Sequence, residues 1–206
     1  MRGEFAAYTK ESAKRELGLP AELPLVVSVW GSLGSGHMNG ILTELLPLLR
    51  GQSDFRLIHA VGSRDFAEIS GKLAAADYTP ADCGAHVQEY IYDMPRVMAA
   101  ADLILCRAGA STLAELTYLG KPSVIVPSPN VTDNHQEKNA RVLEKAGGAK
   151  VFLEGEFDAA SLLQTVRKLL ADREALDGMS AAMKSLSVPL ATERICDEIL
   201  KLCREE

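Results

Sequence analysis

Glu115 is the residue whose type and place point most directly to chemistry. It falls one turn into a helical stretch that follows the apolar run Asp102–Arg107, within CRAGASTLAELTYLGKPSVIVP. If that run is a strand of a parallel sheet, the carboxylate stands at the sheet's carboxyl edge, where ligands bind in open α/β folds. There it can accept two hydrogen bonds from adjacent ribose hydroxyls. An acid near a helix start is also favoured by the helix dipole, so position alone leaves both readings open. The turn Gly109-Ala110-Ser111-Thr112 opens the same helix, and Arg107 either points into the crevice or makes an ordinary ion pair.

Two other segments carry suitable groups. Gly31-Ser32-Leu33-Gly34-Ser35-Gly36 lies between a strand-like run and a helical stretch. Glycines let the backbone approach a ligand closely, and free N–H groups at a helix start attract an anion such as a diphosphate. The spacing is not GxGxxG, and glycine-rich turns are common in α/β domains, so the loop alone does not decide. Ser32 and Ser35 either donate hydroxyls or favour the turn. His37 reads as a partly exposed residue at the helix start. In IVPSPNVTDNHQEKNARVLEKAG, the first helical turn holds Asn134, His135, Gln136 and Asn139. Such side chains offer both donors and acceptors, as sugar hydroxyls require. Asp133 or Asn134 suits the N-cap, and Asp133 is the preferred of the two because with Gln136 it fits a capping box.

Elements that could position these groups alternate along the chain. Short apolar runs begin at Leu25, Phe55, His86, Asp102, Ser123 and Ala149, and read as strands buried on both faces. Helical stretches fill the gaps: 38–49, 65–76, 94–100, 111–119, 134–146 and 159–170. This alternation predicts a doubly wound, Rossmann-like α/β domain with a mostly parallel sheet. Pro47 is expected to bend its helix or begin a new turn, and Gly120 and Gly147-Gly148 to stop theirs. After Pro189, Ile195, Ile199 and Leu202 recur at helical spacing. That last helix either packs on its own domain or crosses to a partner domain.

The chain's 206 residues suit one core, with 47% apolar and 24% charged residues as in an ordinary globular protein. A net charge of −6 argues against a nucleic-acid surface, which needs a clustered excess of Lys and Arg. A small basic pocket for one diphosphate remains compatible. Cys83, Cys106, Cys196 and Cys203 form no CxxC pair, which disfavours a metal site or a disulfide framework and suits a reducing cytoplasm. The apolar runs are far shorter than the roughly 20 residues of a membrane-spanning helix. The N-terminus MRGEFAAYTKESAKREL is polar and does not read as a signal peptide.

The ordered set GSLGS, QEYIYDM, ADLILCRAGASTLAEL, GKPSVIVPSP, DNHQEKNARVLEKAGGA and ATER resembles the C-terminal domain of the MurG family over nearly the whole chain. MurG enzymes are inverting glycosyltransferases of the two-domain GT-B architecture. They transfer N-acetylglucosamine (GlcNAc) from UDP-GlcNAc to muramoyl-pentapeptide on undecaprenyl diphosphate, turning lipid I into lipid II for peptidoglycan at the cytoplasmic membrane face. The resemblance implies that 1–206 is one donor-binding domain, with a hinge and N-terminal helix in 1–20 and a C-terminal helix in 188–206.

It also implies individual roles. Ser32 with Gly31 and Gly34 would hold the donor diphosphate, and Ile91 would contact uracil through its backbone. Glu115 would bind the ribose hydroxyls, with Arg107, Ala110, Ser111 and Thr112 around it in the donor site. His135 and Gln136 would meet the GlcNAc hydroxyls. Arg2 is similar to the arginine of the interdomain NPVR segment, which lies near the diphosphate. No cofactor is implied, and no motif asks for a divalent ion. The general base and the lipid-facing patch belong to the N-terminal acceptor domain, so the isolated domain is expected to bind the donor without transferring it. The homologous dolichol-linked GlcNAc transferase suggests a second reading, a soluble subunit acting with a separate membrane-associated partner. A nucleotide-sugar 2-epimerase-like domain is a third reading, and a binding module without enzymatic role is a fourth.

Overall fold

The computed structural model describes residues 5, 7–52, 54–76 and 79–203. Among them, six strands form one sheet: β1 (Leu25–Val29), β2 (Arg56–Ala60), β3 (Ala85–Gln88), β4 (Leu103–Cys106), β5 (Ser123–Ile125) and β6 (Ala149–Val151). The helices are α1 (Lys10–Glu16), α2 (Gly36–Leu48), α3 (Phe66–Ala75), α4 (Met94–Ala100), α5 (Ala110–Leu119), α6 (His135–Lys145), α7 (Ala159–Ala171), α8 (Arg173–Ser185) and α9 (Ala191–Leu202). The strand order is β3-β2-β1-β4-β5-β6, and every pairing is parallel. This is the doubly wound sheet that the alternation predicts.

Burial on both faces explains the apolar central strands β1, β4 and β5, whereas β3 and β6, at the sheet edges, expose His86 and Lys150 and are not buried on both faces as the sequence suggests. Val26, Leu57, Leu103 and Leu105 face one core with Leu42 and Leu46 of α2 and Leu162 and Val166 of α7. Val27, Ile58, Ile104 and Cys106 face a second core with Val97 and Met98 of α4 and Leu116 of α5. Each buried aliphatic side chain of this kind contributes about 1.5–3 kcal/mol. One apolar stripe per helix suffices to close each layer.

The amino edge of the sheet is closed by a charged cluster. Asp102 accepts from Leu25 N at 2.9 Å and pairs with Lys14 at 3.1 Å and with Lys10. Lys14 Nζ also donates to Leu23 O at 2.8 Å. Burial would raise the Asp102 carboxyl, but the hydrogen bonds from Lys10 and Leu25 outweigh it and hold the group below the ordinary aspartate range. α1 is thereby tied to the start of β1 and to α4, on which it packs.

Several boundaries differ from expectation for local reasons. α2 begins at Gly36 because Ser35, in extended conformation, caps it by accepting from Met38 N. Pro47 lies in the last turn of α2, where its absent N–H withholds one bond from the preceding turn just before the helix ends at Leu48. Gly120 and Gly147 end α5 and α6 with φ of 66° and 85°, as expected of helix stops. Asn134 and not Asp133 takes the N-cap position of α6, without a side-chain cap bond: both have left-handed φ, of 48° and 54°, and Asp133 pairs with Lys138. α9 is the amphipathic helix that the spacing predicts, but it buries no residue. With Ile195 and Leu202 61% and 68% exposed, packing on its own domain is set aside.

Candidate functional site

The strand order reverses between β1 and β4, so the loops leaving their carboxyl ends part and leave a crevice there. A cavity of about 560 Å³ opens at this point. Gly31, Ser32, Gly34, Ile91, Arg107, Thr112, Glu115 and Gln136 all line it. Separate loops and helix starts therefore converge on one space. Ala110 and Ser111 are exposed in the first turn of α5 and do not line the cavity. His135 is also outside it: the ring is exposed, with Nδ1 2.9 Å from Thr132 O. Arg2 lies outside the described residues.

The glycine-rich loop owes its shape to a close approach between two loops. Gly34 has φ +77°, and a Cβ there would stand 1.9 Å from Val61 O. Gly62 has φ +88°, and its Cβ would stand 2.2 Å from Gly34 N. Only glycine fits either position, and the pair stacks the β1–α2 loop on the β2–α3 loop. Backbone N–H groups at the start of α2 then face the cavity side of the sheet, where an anion is favoured.

Arg107 acts as a strut across the carboxyl edge. Its guanidinium donates to Val126 O at 3.0 Å, to Pro127 O at 3.1 Å and to Ser35 Oγ at 2.7 Å, and it pairs with Glu154. Both possibilities raised by the sequence are thus realised, since it lines the cavity and forms an ion pair. Its Cζ lies 6.0 Å from the Trp30 ring centroid. Trp30 Nε1 donates to Ser28 Oγ at 2.8 Å, which fixes the indole in the cleft wall.

Gln136 and His135 separate clearly. The Gln136 side-chain oxygen accepts from Ala108 N at 3.2 Å and Ser128 N at 3.0 Å. Two converging N–H donors identify that atom as the oxygen. The amide NH2 is then the end available to a ligand, with no acceptor among the described residues. Glu115 is partly exposed in the second turn of α5, beyond the Gly109 N-cap, and lines the same cavity.

Trp30, Arg64, Tyr90 and Glu154 also line the cleft, although the sequence does not single them out. Each lies at or just past the carboxyl end of a strand. That position is the signal that could have found them. Together the groups offer a nest for an anion, a carboxylate for a diol and an amide donor for a further hydroxyl.

A doubly wound parallel sheet with a glycine-lined crevice at this switch point defines a Rossmann-like domain. Residues 25–195 match the glycosyltransferase family 28 C-terminal domain, and the chain belongs to that family. It is 41% identical over 201 residues to the UDP-N-acetylglucosamine--N-acetylmuramyl-(pentapeptide) pyrophosphoryl-undecaprenol N-acetylglucosamine transferase of Acetivibrio thermocellus, covering 98% of this chain and 53% of that protein. It is 38% identical to the protein of the same name from Listeria welshimeri, covering 98% and 54%. Among solved structures, Acinetobacter baumannii MurG superposes with a TM-score of 0.78 at 28% identity, covering 96% of this chain and 55% of that one. The chain therefore spans about half the length of the curated relatives it matches.

Proposed function

We propose that this chain is the donor-binding half of an inverting GlcNAc transferase that acts on lipid-linked muramoyl-pentapeptide. The observation that carries this is the meeting of Glu115, the Gly31–Gly36 loop and Gln136 in one cleft, although they come from three distant segments. These are the groups whose chemistry suits a ribose diol, a diphosphate and a sugar hydroxyl. The relatives' names support UDP-GlcNAc as donor and an undecaprenyl-diphosphate acceptor.

In such a transfer the acceptor hydroxyl attacks the anomeric carbon from the face opposite UDP. The bond from that carbon to the β-phosphate oxygen breaks, and negative charge grows on the leaving UDP. Glycine-loop N–H groups and the start of α2 stabilise that charge without moving. Arg107 holds Ser35, and so the loop, in place. The proton of the acceptor hydroxyl goes to a base in the acceptor half, which also meets the lipid at the cytoplasmic membrane face. The exposed apolar side of α9 favours a covering partner, whether that acceptor domain or a separate membrane-associated chain. No step calls for a cofactor or a divalent ion.

Glu115→Ala is expected to weaken UDP-GlcNAc and UDP binding by about 1.5–3 kcal/mol, the worth of hydrogen bonds to a charged group. Calorimetric titration measures it, alongside an assay of GlcNAc transfer to a lipid acceptor analogue. Binding that depends on Glu115 without transfer supports a donor domain. Equal affinity in the variant, or no binding by the wild-type chain, rules the assignment out.

A further inference from the structure

Two guanidinium groups and three carboxylates line the cleft among the described residues: Arg64 and Arg107 against Glu89, Glu115 and Glu154. Arg107 is already neutralised by Glu154 and spends its remaining donors on Val126, Pro127 and Ser35. A diphosphate is held best by a cation that has no partner to give up. Of the two guanidinium groups that line the cleft among the described residues, Arg64 is that cation. It is exposed and makes no ion pair or side-chain hydrogen bond among the described residues.

The backbone beside Arg64 is held against the anion-binding loop. Gly62, two residues before it, stacks on Gly34, and its N–H donates to Glu89 O at 2.9 Å. Asp65, directly after it, accepts from Asn39 Nδ2 of α2 at 2.8 Å and lies 3.6 Å from where a Gly36 Cβ would be. Arg64 is thus fixed on both sides next to the start of α2, while its long side chain stays free to reach over the loop.

We propose that Arg64 is a charge partner of the donor's diphosphate, recruited across the glycine loop from the neighbouring β2–α3 loop. The proposal rests on the donor-binding reading and adds to it a residue that lets the cleft select a diphosphate over an uncharged nucleoside. Lysine can supply the charge but not the planar fork, so it serves partially.

The test is titration of the 206-residue chain with UDP and with uridine at low and high salt, using wild type, Arg64→Gln, Arg64→Lys and Glu115→Ala. Arg64→Gln is expected to weaken UDP about tenfold, leave uridine unchanged and flatten the salt dependence of UDP binding. Arg64→Lys is expected to recover most of the loss. Unchanged UDP affinity in Arg64→Gln, or a parallel loss for uridine, overturns the assignment. If Glu115→Ala weakens both ligands while Arg64→Gln weakens neither, the donor site stands and Arg64 is not part of it. If wild type binds no UDP, both conclusions fall.

Discussion

Gly34→Ala is expected to destabilise the protein by about 3–5 kcal/mol and to abolish donor binding, because two costs fall on one atom. The backbone at φ +77° is strained for any side chain. The new Cβ also meets Val61 O at 1.9 Å, so one of the two loops must move. Val61 O is not free to yield, since it accepts from the buried Asn39 Nδ2 at 2.9 Å. Gly31→Ala separates the two costs: its φ is +93° but open space surrounds it, so only about 1–2 kcal/mol of backbone strain is expected. Denaturant midpoints and UDP titration on the two variants decide the matter. Equal losses at both positions would show that the loop-to-loop approach has no energetic weight.

The second large effect is acid sensitivity from His59. This residue of β2 is 2% exposed, with Nδ1 3.1 Å from Ser28 Oγ and with Nε2 meeting no partner among the described residues. Burial pushes its pKa down from 6.5 to about 4, against a smaller opposing hydrogen bond with Ser28. As pH falls through 6.5 the unfolded chain takes up a proton that the folded chain refuses until about 4. Unfolding is therefore favoured progressively across that window. The stability lost amounts to roughly 3 kcal/mol. Above pH 6.5 this residue has no such effect, and Asp102 acts only lower, where its own carboxyl begins to protonate. Unfolding midpoints from about pH 7 to pH 4 should show the decline, and His59→Gln should remove most of it. A variant that keeps the same slope would assign the acid sensitivity elsewhere.

The central strands are legible in the sequence because burial on both faces leaves runs such as Leu25–Val29 and Leu103–Cys106 with scarcely a polar residue. Glu115 and Gln136 are legible because a carboxylate and an amide near helix starts stand out beside predicted strands. What escapes depends on which loops touch. Glu154 looks like the tail of a strand until Arg107 is seen to reach it, and Arg64 gains meaning only once Gly62 is found against Gly34. Asp133 misleads because its spacing to Gln136 fits a cap, whereas two successive left-handed residues turn the chain before α6 begins. Adjacent positions such as His135 and Gln136 cannot be parted without the backbone, since neighbours on a helix point about 100° apart.

The chain's single tryptophan is Trp30. Its indole is almost fully buried in the cleft wall, hydrogen-bonded to Ser28 and close to the Arg107 guanidinium. All tryptophan emission of these 206 residues consequently originates beside the cleft. The polypeptide carries its own optical reporter, and occupancy of the cleft can be followed in an unlabelled sample, with the intensity and wavelength of that one fluorophore reporting the polarity around a single ring.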